Sequence, residues 1–182
     1  DSWGYEWTDV CPVTYVPDDN FEQALIDLGY DDVLDDTVFT ADIFYVEELE
    51  VRDREISDLT GISDFNSLLG LDVANNNLDS LDISFNTSLE YLHVQENELM
   101  DIDLSNNQNL EWLVIGDNNL SSLDISSNSK LVGLDTWNNS LISLDLTNND
   151  SIRYLYIGDS EIEELNISSN IMLEEVVIYN GN

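Results

Sequence analysis

The chain has 182 residues and a mass of 20.6 kDa, enough for one domain with a sizeable core, and its 42% hydrophobic content is ordinary for a globular protein. It carries 39 Asp and Glu against 4 Lys and Arg, a formal charge of −35. That balance excludes a nucleic-acid binder and argues against docking on anionic membranes, because both need basic side chains.

Such a charge repels itself in a compact state, so the chain is expected to work in salt or with bound cations. No run approaches the roughly 18 apolar residues of a membrane span. The single cysteine, Cys11, excludes an internal disulfide framework and is expected as a buried small hydrophobe. The chain opens on Asp1 rather than Met, so a processed or trimmed start is expected.

Residues 1–16, with Trp3, Tyr5 and Trp7, read as an N-terminal segment ahead of a cap over 17–45. Within the cap, Val16 to Gly29 reads as a short helix. Asp19 and Glu22 have the spacing of an N-cap with a capping box, and Gly29 is the stop. Phe21, Leu25 and Leu28 line one face of it. The acidic run Asp31, Asp32, Asp35, Asp36 lacks the Gly and the closing Glu of an EF-hand loop. Ile56 to Leu68 is a longer, irregular unit.

A strict repeat follows. Leu71, Leu92, Leu113, Leu134, Leu155 and Val176 recur every 21 residues, as do Leu81 to Leu165, Ile83 to Ile167 and Asn86 to Asn170. Each unit reads L-x-x-L-x-[VIL]-x-x-N-x-L-x-x-L-D-[IL]-[ST]-x-N-x-x. The L-x-L alternation puts leucines on one face of a short strand. One unit cannot bury its apolar residues, so the units stack into a continuous core.

These residues resemble the leucine-rich-repeat family, and more narrowly the short, nested bacterial class of secreted or surface internalin-like proteins. The resemblance covers 46–182. It implies a strand-rich solenoid of the α/β horseshoe class, with stacked 21-residue coils, a parallel sheet and a helical N-terminal cap like that of secreted Bacteroidetes-type proteins. The C-terminal end reads as uncapped, since Val176 to Asn182 is half a unit. The resemblance also places Asn76, Asn97, Asn118 and Asn139 inside the coils as one amide ladder, with Ser160 and then Gly181 in the later slots, and Asn86 to Asn170 as a second. The sequons at Asn86-Thr87-Ser88 and Asn166-Ile167-Ser168 are then expected to be kept inside rather than glycosylated.

Period-two alternation sends another set outward from the first strand of each unit: Tyr91, His93, Trp112, Asp135, Trp137, Tyr154, Tyr156 and Tyr179. Tyr91 is expected beside Trp112, and Trp137 between Gly116 and Gly158, which leave its ring room. In the family this sheet is the usual ligand surface, which implies recognition or adhesion of a protein partner outside the cell or at its surface, without catalysis. A glycan stacked on the rings is the alternative. Aromatics that merely cover neighbouring strands are the structural reading. An enzyme is a distant third. Asp72 and His93 share a column but no nucleophile motif accompanies them, and Asp72 and Asp135 are three coils apart, about 14 Å against the 5–9.5 Å of a glycosidase pair.

In the second half of each unit, Asp82, Asp103, Asp124 and Asp145 share one outward column beside Ser84, Ser105, Ser126 and Thr147. Two readings stand: Asp and Ser bonding nearby backbone, or a Ca²⁺ column. No other cofactor is implied.

Overall fold

The computed structural model describes residues 11–179. The N-terminal unit pairs β1 (Val13–Tyr15) antiparallel with β2 (Thr37–Phe39), around the helix α1 (Asp19–Leu28) and followed by the short α2 (Thr40–Ile43). β1 therefore ties the end of the segment expected to precede the cap into the cap itself. Trp3, Tyr5 and Trp7 lie outside the described residues. Cys11, just before β1, is exposed rather than buried.

The helix starts one residue earlier than its sequence suggests. Asp18, not Asp19, is the N-cap, and its carboxylate accepts from Asn20 N and Phe21 N, both at 2.9 Å. Glu22 makes no capping box; it turns inward and accepts from Asp35 N at 2.8 Å and Thr37 N at 3.0 Å. Gly29 closes the helix in the left-handed region, φ 82°, as expected of a C-terminal glycine. Phe21 and Leu25 are buried, but Leu28 is exposed at the last turn.

Asp18 also fastens the cap to the first coil. Its second oxygen accepts from Ser57 N and Ser57 Oγ at 2.8 Å and from Asp58 N at 3.1 Å. Burial works to raise the Asp18 pKa, but the bonds from Ser57, Phe21 and Asp58 together outweigh it and hold the carboxyl below its ordinary value.

The rest is a solenoid. Seven parallel strands stack in chain order: β3 (Glu48–Glu50), β4 (Gly70–Asp72), β5 (Tyr91–His93), β6 (Trp112–Val114), β7 (Gly133–Asp135), β8 (Tyr154–Gly158) and β9 (Glu175–Tyr179). Leu49, Leu71, Leu92, Leu113, Leu134, Leu155 and Val176 are register partners from strand to strand. The leucines are buried; Val176, on the last described strand, is 38% exposed. A fully buried Leu contributes about 1.5–3 kcal/mol, so the stacked row is one large contribution to the stability of the coils.

Both amide ladders lie inside, but they are not equivalent. Asn97 Oδ1 accepts from Leu78 N at 3.0 Å, and its Nδ2 donates to Val73 O at 3.0 Å and Val94 O at 3.1 Å. In the second ladder, Asn107 Nδ2 donates to Ile83 O and Asn86 O, while Oδ1 of Asn86, Asn107, Asn128, Asn149 and Asn170 is buried without a partner. The donors close the turn, and the orphaned acceptors are the cost of closing it. Asn86 is buried as its sequon reading requires, whereas Asn166 is exposed, its Oδ1 accepting from Ser168 N.

Candidate aromatic face

The outward residues form three columns across the sheet. The register sets Glu48, Gly70, Tyr91, Trp112, Gly133, Tyr154 and Glu175 in the first, and Glu50, Asp72, His93, Val114, Asp135, Tyr156 and Val177 in the second. Trp137 and Tyr179 stand in the third. Tyr91 and Tyr179 are exposed, and Trp112, Trp137, Tyr154 and Tyr156 are half-buried. The eight residues expected on this face thus share one side of one sheet.

Tyr91 and Trp112 are strand neighbours as expected, but the indole leans the other way. It lies over Gly133, where a Cβ would overlap the ring, and stacks on Tyr154 with centroids 5.5 Å apart at 20°. Trp137 does the same over Gly158 and stacks on Tyr179 at 5.8 Å and 2°. Its ring therefore takes only one of the two glycine gaps. At Gly116 it is the Trp137 backbone that comes close, its carbonyl oxygen 2.9 Å from where a Cβ would be. Each Trp–Gly–Tyr set spans three coils, so the aromatic rows are both cross-strand cover and an open surface.

The polar groups of the face are held in place. Asp135 Oδ1 accepts from Trp137 N at 2.9 Å, and burial pushes its pKa up despite that bond. Tyr154 donates through its hydroxyl to Glu174 Oε2 at 3.2 Å, which raises its pKa; burial and Glu175 raise that of Tyr156. His93 Nδ1 is 3.7 Å from Asp72 Oδ2, and Asp72 is already engaged by Arg52 and by Ala74 N at 3.1 Å. No serine stands in the three columns among the described residues.

The sequence reading missed the cap end of this face. Glu48, Glu50, Arg52, Asp72, Tyr91 and His93 enclose a cleft of about 320 Å³. The signal was Leu49, but its spacing to Leu71 is 22 rather than 21, across the irregular unit that carries a 3₁₀ turn at Ile62–Asp64.

The second-half aspartates form one exposed column, and each closes a local turn. Asp82, Asp103 and Asp124 accept from the N–H of Ser84, Ser105 and Ser126, and Asp145 from Thr147, at 2.9–3.0 Å. Bonds from those serines, side chain first and backbone next, hold Asp82, Asp103 and Asp124 below the ordinary carboxylate range; for Asp145 the Thr147 backbone bond leads. Among the described residues no set of three or more His, Cys, Asp or Glu side chains is arranged to hold a metal ion. No helix among them is long and apolar enough to cross a membrane.

No family model matches the sequence, and no curated protein does. Solved structures do match. The functional domain of InlJ from Listeria monocytogenes superposes with a TM-score of 0.86 at 27% identity, over 93% of this chain and 39% of that one. An internalin, inlF, from Listeria monocytogenes gives 0.81 at 25% identity, over 91% and 51%. A leucine-rich-repeat protein of Leptospira interrogans gives 0.63 at 21% identity, over 66% and 33%, and shows the fold alone. The chain spans about half or less of each of these proteins. The InlJ domain is described as including a cysteine ladder; this chain, with one cysteine, builds none. The sequence repeat, the stacked parallel sheet and these likenesses agree: the chain is a leucine-rich-repeat solenoid with the internalin-like fold.

Proposed function

We propose that the chain is a non-catalytic recognition module, working at the cell surface or outside the cell, that holds a protein partner on the aromatic face of its sheet. The observation that carries this reading is the grouping of Tyr91, Trp112, Trp137, Tyr154, Tyr156 and Tyr179 on one side of the sheet, apart from the leucine core and each partly open to solvent. Tyr and Trp are favoured anchors in protein interfaces, and apolar groups clustered on one exposed face mark interaction sites. The internalin-like fold supports an interaction role, and the −35 charge keeps such a surface soluble.

The test is a capture experiment on solubilised cell-surface proteins, followed by titration of any purified captured protein. Wild type is compared with Trp112→Ala/Trp137→Ala and with Asp103→Asn/Asp124→Asn. Binding lost only in the tryptophan pair supports the reading. Binding lost only in the aspartate pair moves the site to the second-half column. Retention on a glycan array but not by protein assigns the face to an extended sugar chain.

A further inference from the structure

At the cap end of the sheet a glycine gap is filled by a carboxylate instead of a ring. Gly70 stands in the first column between Glu48 and Tyr91. A Cβ on Gly70 would overlap Glu48 Oε2, so the Glu48 carboxylate lies over Gly70 as the indole of Trp112 lies over Gly133. In the second column Glu50 neighbours Asp72, and His93 follows. Tyr91, 41% exposed, lines the same cleft. At about 320 Å³ the cleft is at the small end of ligand sites, which run from about 300 to 1,000 Å³, and suits a single side chain.

The charges in the cleft do not cancel. Asp72 is matched by Arg52 and bonded by Ala74 N. Glu48 and Glu50 are exposed, and neither side chain forms a hydrogen bond or ion pair with a described residue. The other basic side chains are engaged elsewhere: Arg54 pairs with Asp27, Arg153 with Glu174, and Lys130 donates to Asn109. Two uncompensated carboxylates therefore share a cleft with a tyrosine ring. A hard divalent cation would want six or more oxygens, and no three acidic side chains among the described residues are arranged to hold one. A guanidinium suits the cleft better. Its N–H fork pairs with carboxylates and its flat face stacks on an aromatic ring, whereas a lysine ammonium has neither fork nor face.

We propose that this cleft receives an arginine side chain of the protein partner, its guanidinium held by Glu48 and Glu50 and stacked on Tyr91. The proposal rests on the reading of the aromatic face as a protein-binding surface and names the chemistry of what binds there. Tyr91 belongs to both the cleft and the face, so the arginine sits at the rim of an interface centred on Trp112 and Trp137. Protein interfaces combine an apolar centre with a polar rim. The first column also ends on a carboxylate at its far side, Glu175, so the matching partner surface is basic around its apolar centre. Such complementarity selects the partner and speeds encounter, and it weakens with salt.

The experiment is an NMR titration of the intact chain with N-acetyl-arginine N-methylamide, against the uncharged citrulline analogue of the same shape. The arginine probe should give saturable shifts centred on the Gly70 amide, Tyr91 and His93, and should bind roughly tenfold tighter than the citrulline probe. Glu48→Gln/Glu50→Gln should lose about tenfold and Tyr91→Leu about threefold in probe affinity, with resonances outside the cleft unmoved, while Asp103→Asn/Asp124→Asn binds as wild type. Shifts spread evenly over the acidic columns overturn the proposal, because they show only counterion attraction to the −35 chain. Equal binding of the citrulline probe overturns it, as does a glutamine pair that binds as wild type. With a purified partner, Glu48→Gln/Glu50→Gln should weaken binding about tenfold and flatten its salt dependence. An unchanged partner affinity overturns the arginine site even where Trp112→Ala/Trp137→Ala abolishes binding, whereas failure of the aromatic-face reading shows in the tryptophan pair alone.

Discussion

The indole of Trp112 fills the space above Gly133 and stacks on Tyr154 beyond it, and Trp137 uses Gly158 and Tyr179 in the same way. The glycines are therefore part of the aromatic face: their missing side chains are what the rings occupy. Gly133→Ala should force the ring outward at a cost of about 1–3 kcal/mol, visible in urea unfolding, with a weakened near-UV tryptophan signal. An unchanged midpoint and signal would mean that the ring does not rest there.

Leu113 is fully buried in the stacked row, with Leu92 and Leu134 as its register partners. Leu113→Ala should cost about 2–5 kcal/mol by the lost burial and the residual cavity. A cost under about 1 kcal/mol in equilibrium unfolding would contradict the continuous core.

Asp18 caps α1 and holds Ser57 and Asp58 with its other oxygen. Asp18→Ala should therefore cost about 2 kcal/mol, the upper end for an N-cap. The folded pKa is lowered, so this contribution is present above the unfolded value of about 3.9 and is lost as pH falls through the folded one. The gap in melting temperature between wild type and variant should narrow below about pH 4; a gap independent of pH would contradict the role of the charge.

At −35, melting temperature should rise with NaCl through screening. The aspartate column gives a sharper test of Ca²⁺. If Ca²⁺ binds there, CaCl₂ should raise the midpoint more than MgCl₂ at matched ionic strength, and Asp103→Asn/Asp124→Asn should remove the difference. Equal shifts leave only screening and the turn-closing role that Ser105 and Ser126 already give these carboxylates.

The coils were legible because a 21-residue period repeated in phase leaves one way to stack Leu92, Leu113 and Leu134. β3 was not, because its unit is a residue longer and breaks that phase. The two asparagine ladders look alike in sequence, yet only the first has its acceptor oxygens satisfied, a difference set by which backbone N–H groups each turn presents. Which residues face outward on the strands followed from alternation; which way Trp112 and Trp137 lean did not, since it depends on a glycine in the next coil. Glu22 was read as a helix-cap residue from its spacing, but Asp18 takes the cap and Glu22 turns in to bond the loop, a tertiary contact that local spacing does not encode.

The most direct measurement of the central claim is the affinity of a purified captured partner for Trp112→Ala/Trp137→Ala, with circular dichroism recorded on the same samples. Each buried anchor is worth about 2 kcal/mol, so the pair should weaken binding by several hundred-fold, on the order of 700-fold, while the fold persists, because neither ring belongs to the leucine core. A folded double variant that binds the partner as tightly as wild type would contradict recognition through the aromatic face.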